Sequence, residues 1–539
     1  MDYQLKFIGF IAALTGLCLA LLVRGDAPRN DSVQVGQVNF PTSCAVEAGA
    51  KVETGVALLH SFQYEEAEQS FSEAAKRDPK CAIAYWGKAM TRYEQLWEFP
   101  QGKTLKRGLA DIQQAQTVGA GTDRERSYIA AAAAFYSDDS KLSHKKRIQN
   151  YSAALDQLRK QSPEDVNAAA FYALSLIALA EDENGESSDN ANRKAAIALL
   201  QTLCRTAPKN PGPAHYLIHA TDTPQFAPLG LEAARNYAKI APDSSHALHM
   251  PSHIFVRLGL WQESIASNLA AAASAAKATE EHRADPHYQF HALDFLNYSY
   301  LQSGEESKAR QLVEELKKVP GASADGISEH QADFTARNAF ELHRWKEAAA
   351  LPIPAVRRDA QKPTYRVRAI GAARAGDADA ARKALEKYKE LNSSHRHHEK
   401  DNARAYGDTS EKNVIEMEAE GWVSYAEGKS EEALKVLRLA ADREDAEGVD
   451  SLATPAREML ADMLLELRRP AEAVAEYRAA LKNSPNRFNS LYGAARAAQA
   501  AGDTASARVL FASLLSACGP GADRPELTEA KAASGWPAH

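Results

Sequence analysis

Apolar and small residues recur at helical spacing through most of this chain. Tyr64-Glu-Glu-Ala67, Phe71 and Ala74 precede Pro79. Ala67 and Ala74 let two helices approach, Phe71 fills between them, and Pro79 stops the second helix. Ala82 to Trp97 opens another helix pair, with Tyr85 and Ala89 at packing positions. Residues 100–200 are helical but less regular: Asp123–Tyr128 leads into Ala130–Phe135, Asp165–Ala180 is a further apolar helix, and Glu181–Asn192 is a polar loop. The helical punctuation returns near the C-terminus, with Gly428 and Ala433, then Ala473, Tyr477, Ala480 and Pro485, then Gly502 and Ala507.

The interval from Ala473 to Ala507 is 34 residues, the tetratricopeptide period. The pattern therefore predicts an all-α fold, a right-handed solenoid of tetratricopeptide-like helical hairpins in two segments. The expected division is an apolar leader at 1–24, a polar linker at 25–43, an N-terminal solenoid at 44–391 and a charged linker at 392–412. C-terminal repeats at 413–517 and a Gly/Pro/Ala-rich flexible tail at 518–539 complete it. In such an array each repeat buries its face against its neighbours.

Within the N-terminal solenoid the histidines are patterned. His215-Tyr-Leu-Ile-His219 is followed by Asp222; His246-Ala-Leu-His249-Met-Pro-Ser-His253 comes next, then His287-Tyr-Gln-Phe-His291-Ala-Leu-Asp294. Residues four apart on a helix share a face, and His215/His219 repeat as His249/His253 after 34 residues. Aligning Gly259 and Ser264 with Gly304 and Ala309 pairs His246 with His291 and His249 with Asp294, an interval of 45 that puts an insertion near Lys277–Asp285. Neither HxxxH carries the Glu of a zincin motif. Pro251 either kinks its helix or starts it, and in the second case His246 and His249 precede the helix.

Composition narrows the class. A formal net charge of -7 argues against a nucleic-acid partner. Phe7–Val23 is an apolar run after Lys6, read as a cleaved signal or an uncleaved anchor. Either exports the remainder, giving a periplasmic or inner-membrane-anchored protein that meets the membrane only through this segment. Five cysteines include no CxxC, so thiolate zinc or thioredoxin-like chemistry is not indicated. Cys44 precedes the first helix of the first repeat and Cys81 follows its second, so the hairpin ends bring them within reach of a disulfide; two separately buried thiols are the alternative. His395, His397 and His398 form a loose tract read as solvated loop.

Several strings resemble a family of exported bacterial tetratricopeptide proteins. They are Val38-Asn-Phe-Pro-Thr-Ser-Cys44, Leu58-Leu-His-Ser-Phe62, Cys81-Ala-Ile-Ala-Tyr-Trp-Gly87, His246 to Phe255, Ala456 to Leu467, and Pro485-Asn-Arg-Phe-Asn489. Residues 448–454 and 327–345 depart from the family's pattern. The resemblance implies the solenoid and the export; it transfers no catalytic residue. It also implies that His215, His219, Asp222, His246, His249, His253, His291 and Asp294 line the concave groove; by repeat spacing His60 and Trp86 either extend it or are packing residues. The core metal set is His215, His219, His249 and His253, and the ion a divalent Zn, Fe, Mn or Cu. The expected function is a scaffold that binds a protein or peptide, or a small ligand, in this groove. A metal-dependent hydrolase using the same cluster and a purely structural assembly protein are the alternatives.

Overall fold

A computed structural model describes residues 34–96, 100–137, 142–184, 190–399, 413–448 and 450–535. All regular elements among them are helices, joined as antiparallel hairpins by short turns. The apolar run Phe7–Val23 lies outside the described residues, and no helix among these is long and apolar enough to cross a membrane.

The first hairpin pairs Val46–His60 with Tyr64–Arg77. Ala67, Phe71 and Ala74 are fully buried along its seam. Phe71 also reaches the next helix, Ala82–Met90, where a Cβ at Gly87 would lie 2.3 Å from the ring, so only glycine permits this approach. A disulfide joins Cys44 to Cys81, with Cα atoms 4.8 Å apart. Closing a loop of this length contributes roughly 3–4 kcal/mol by restricting the unfolded chain.

The histidine repeats follow as Pro211–Thr221 with Ala227–Ile240, then Ser245–His249 and Pro251–Arg257 with Trp261–Glu280, then His287–Gln302 with Glu306–Glu315. Pro251 does start its helix, so His246 and His249 lie on a separate short turn of helix. The two pieces stay aligned because Met250 between them is itself right-handed helical, φ -52 and ψ -34. The insertion near Lys277 lengthens Trp261–Glu280 to 20 residues, against 14 in Ala227–Ile240.

Contacts are not confined to neighbouring repeats. The first hairpin folds onto the histidine repeats: Arg283 pairs with Glu66 at 2.6 Å, and the His60 carbonyl accepts from His215. The C-terminal repeats dock on them as well. Trp261 Nε1 donates to the Asn486 carbonyl at 2.9 Å, and Gly259, at φ +65, brings its backbone against Pro485, where a Cβ would lie 2.2 Å from the carbonyl oxygen.

Two expected boundaries differ. Across the stretch expected to part the two segments, one apolar cluster includes Ile370, Tyr388, Trp422 and Leu437. The helix Ala378–Glu399 runs into the expected linker, while 400–412 lies outside the described residues. The tail expected to be flexible forms the helix Glu526–Ser534, because Leu527 and Ala530 find an apolar surface with Phe488, Phe511 and Leu514.

Candidate metal centre

Six imidazoles come together at the junction of three repeats. Pro211–Thr221 starts with Asn210 capping the Gly212 amide and proline at its first turn, which fixes the register of His215 and His219. Ser244 caps Ala247 and sets His246 and His249. His253 stands in the first turn of Pro251–Arg257 and His291 one turn into His287–Gln302. The side-chain nitrogens fall into two triplets, His215/His219/His246 and His249/His253/His291, each with its ligand atoms within 4.8 Å of one another.

In the first triplet, His215 Nδ1 lies 2.6 Å from the His60 carbonyl, an acceptor, so Nδ1 carries the hydrogen. The Nε2 lone pair then faces His246 Nε2 at 3.0 Å and His219 Nε2 at 3.1 Å. One lone pair meets two ring nitrogens.

The second triplet is more explicit. The Asn268 amide nitrogen is spent on the Ser264 carbonyl at 2.9 Å, so its oxygen accepts from His249 Nδ1 at 2.8 Å. His253 Nδ1 donates to Asp222 Oδ2 at 2.8 Å. Burial opposes ionisation of Asp222, but Arg257, 2.9 Å away, together with His253 holds its carboxyl well below the usual carboxylate range. With both Nδ1 hydrogens committed, the two Nε2 atoms face each other at 3.1 Å, with room between them for a shared cation.

Five of the six rings are poor sites for a proton. Burial, reinforced by neighbouring imidazoles, holds His215, His219, His246 and His249 well below the ordinary histidine range and lowers His291 to about 4. A metal ion accepts the lone pairs of neutral rings. Three nitrogens at the ~2.0–2.1 Å zinc–imidazole distance lie about 3.3–3.5 Å apart, a few tenths of an ångström beyond the three Nε2 contacts of 3.0–3.1 Å and inside the 4.8 Å that bounds each triplet. His215, His246 and His249 form a buried floor, while His219, His253 and His291 are partly exposed and open one side. Phe62 packs on the first triplet, 4.4 Å from His215 between ring centres, and Phe295 on the second, 4.5 Å from His253.

The core set expected from spacing thus divides between two triplets, and His246 and His291 join as full members. Asp222 orients His253, and Asp294 is bound by Arg337 at 2.6 Å, so both carboxylates are engaged outside the triplets. His287 stacks at the rim on His291. Two groove candidates are corrected. His60 is a buried core residue, its ring fixed between Tyr216 and Asn167; only its carbonyl serves the cluster. Trp86 is buried among Phe40, Tyr128 and Phe171, as an aromatic at a packing position would be. The side chains of His395, His397 and His398 lie outside the described residues. Asn268, Phe62 and Phe295 were not singled out as site residues. Phe62 lies in one of the strings that carry the resemblance, whereas Asn268 stands on the second helix of its repeat with no periodic signal. A cleft of about 870 Å³, lined by Gln37, Cys204, Lys209, Glu232 and Lys239 among others, includes none of the six histidines.

The tetratricopeptide repeat family matches residues 53–95, 418–488 and 458–523. No curated protein matches the chain. Among solved structures, the TPR domain of P58(IPK) is 14% identical with a TM-score of 0.21, covering 85% of this chain and 99% of that one. A human IFIT1 dimer with PPP-AAAA is 13% identical, TM-score 0.34, covering 87% and 90%. The APC/C hetero-tetramer Cut9-Hcn1 is 11% identical, TM-score 0.31, covering 90% of each chain. The fold of this chain is an all-α solenoid of tetratricopeptide-like helical hairpins, with three segments that match the tetratricopeptide repeat.

Proposed function

We propose that this is an exported tetratricopeptide scaffold that engages a protein or peptide partner and holds a transition-metal ion on its inner histidine surface. The convergence of Nε2 atoms carries the metal reading: His249 and His253 face each other at 3.1 Å with both Nδ1 hydrogens committed elsewhere. An all-imidazole donor set suits zinc and copper better than manganese, which favours oxygen ligands. The Cys44–Cys81 bridge supports an oxidising, exported location. The test is elemental analysis of the full chain purified without chelator and then supplied with metal. Stoichiometric metal that survives dialysis is the expected result, and a protein that retains none overturns the reading. Recovery of the native protein from the cytosol with Phe7–Val23 intact would remove the export.

The open side formed by His219, His253 and His291 favours one further reading, a metal-dependent hydrolase with water at that side. Metal-dependent turnover of ester or phosphoester substrates, abolished in His253→Ala, would distinguish it from the scaffold.

A further inference from the structure

Building on the metal reading above, we infer that the six histidines form a centre for two cuprous ions, one held by His215, His219 and His246, the other by His249, His253 and His291.

The ligand nitrogens gather in two groups of three, each with its atoms within 4.8 Å of one another, and no such group among the described residues draws on both triplets. Inside them, the Nε2 contacts His215–His246, His215–His219 and His249–His253 are 3.0–3.1 Å. An ion bonding imidazole at about 2 Å is satisfied within one triplet. Each triplet also has its own anchors: the His60 carbonyl orients His215, while Asn268 and Asp222 orient His249 and His253. Such outer hydrogen bonds fix which ring nitrogen faces a metal.

Charge selects the ion. Six neutral imidazoles contribute none, and the adjacent carboxylates are cancelled, Asp222 by Arg257 at 2.9 Å and Asp294 by Arg337 at 2.6 Å. Two divalent ions would bring four uncompensated positive charges into a site floored by buried rings and walled by Phe62 and Phe295; two cuprous ions bring half as many. The cost of burying charge rises steeply with its amount. Imidazole is a good copper ligand, and three nitrogens without a carboxylate satisfy a univalent copper ion.

The test uses the full chain in detergent, loaded anaerobically with a cuprous salt and dialysed against a chromogenic cuprous chelator. The expected result is two copper ions retained per chain. His219→Ala and His291→Ala, one from each triplet and both on the partly exposed side, should each retain one. Circular dichroism confirms that the variants fold; should either unfold, His253→Gln replaces His291→Ala and His219→Gln replaces His219→Ala. One ion in the parent and none in either variant would mean a single shared site, overturning the pair while leaving the metal reading standing. Two zinc ions held as firmly as copper would overturn the choice of a univalent ion. No retention of any metal removes both readings.

Discussion

Two buried polar clusters in this molecule have opposite character. Around Arg487, every nitrogen of the guanidinium donates: Nε to Glu458 at 2.8 Å, Nη1 to the Tyr298 hydroxyl at 2.8 Å, and Nη2 to both Glu341 oxygens at 2.7 Å. Thr454 and Gln302 supply further donors to Glu341, and Ser490 donates to Glu458. Burial alone would raise Glu341, yet the charge and hydrogen bonds of Arg487 hold it below the ordinary carboxylate range. In the histidine centre, by contrast, nitrogen faces nitrogen. A buried cluster in which donors meet acceptors is complete and structural; one in which ring nitrogens converge on each other offers a place for a cation.

The largest effect should come from the complete cluster. Arg487→Met leaves Glu341 and Glu458 buried without their cation and should cost about 3–5 kcal/mol in denaturant unfolding. A loss under about 1 kcal/mol would erase the distinction between the clusters. In the histidine centre the same kind of truncation should behave differently. His219→Ala should leave metal-free stability within about 1 kcal/mol of the parent, because the ring is partly exposed and its removal strands no buried charge. It should also reduce the stabilisation by added metal, which at a hundredfold excess over Kd is about 2.7 kcal/mol for a single site. Equal thermal shifts with metal in parent and variant would contradict this.

Acid sharpens the contrast. Burial lowers His60 and His291 to about 4 from the ordinary 6.5. Between those values the unfolded chain binds protons that the folded chain does not, so metal-free stability should be fully present above pH 6.5 and fall as pH drops towards 4. Metal should be retained well below pH 6.5 for the same reason, and be released only as the buried rings take up protons near pH 4. Release centred at 6.5 would mean that the ligands are solvated. The smallest effect is expected from Asp222→Asn, which keeps the shape but weakens the hold on His253; metal affinity should fall about 10–100-fold with little change in fold.

The hairpins were legible because Ala67, Phe71 and Ala74, and later Ala473 and Tyr477, are spaced by helix packing itself. The histidine faces were legible for the same reason, since HxxxH is a local relation. The division into triplets was not. It depends on His246 meeting His215 and His291 meeting His249 across repeats, and on Asn268 fixing a tautomer from another helix. His60 and Trp86 were misplaced because a groove position and a core position share one period; the first hairpin's turn onto the histidine repeats decides between them. The Arg487 cluster escaped notice because its members come from distant segments. Two of them, Glu341 and Thr454, lie in the stretches that depart from the family pattern and bond to each other at 2.7 Å.

The contact between distant repeats has a consequence for the order in which the chain acquires its structure. Neighbouring hairpins close short loops and form early, whereas His60–His215 and Tyr298–Arg487 span 155 and 189 residues and must await the rest. During synthesis the histidines emerge long before Arg487 does, and they emerge unclamped on the C-terminal side. The histidine repeats therefore take shape before the last repeats dock on them through Trp261 and Asn486.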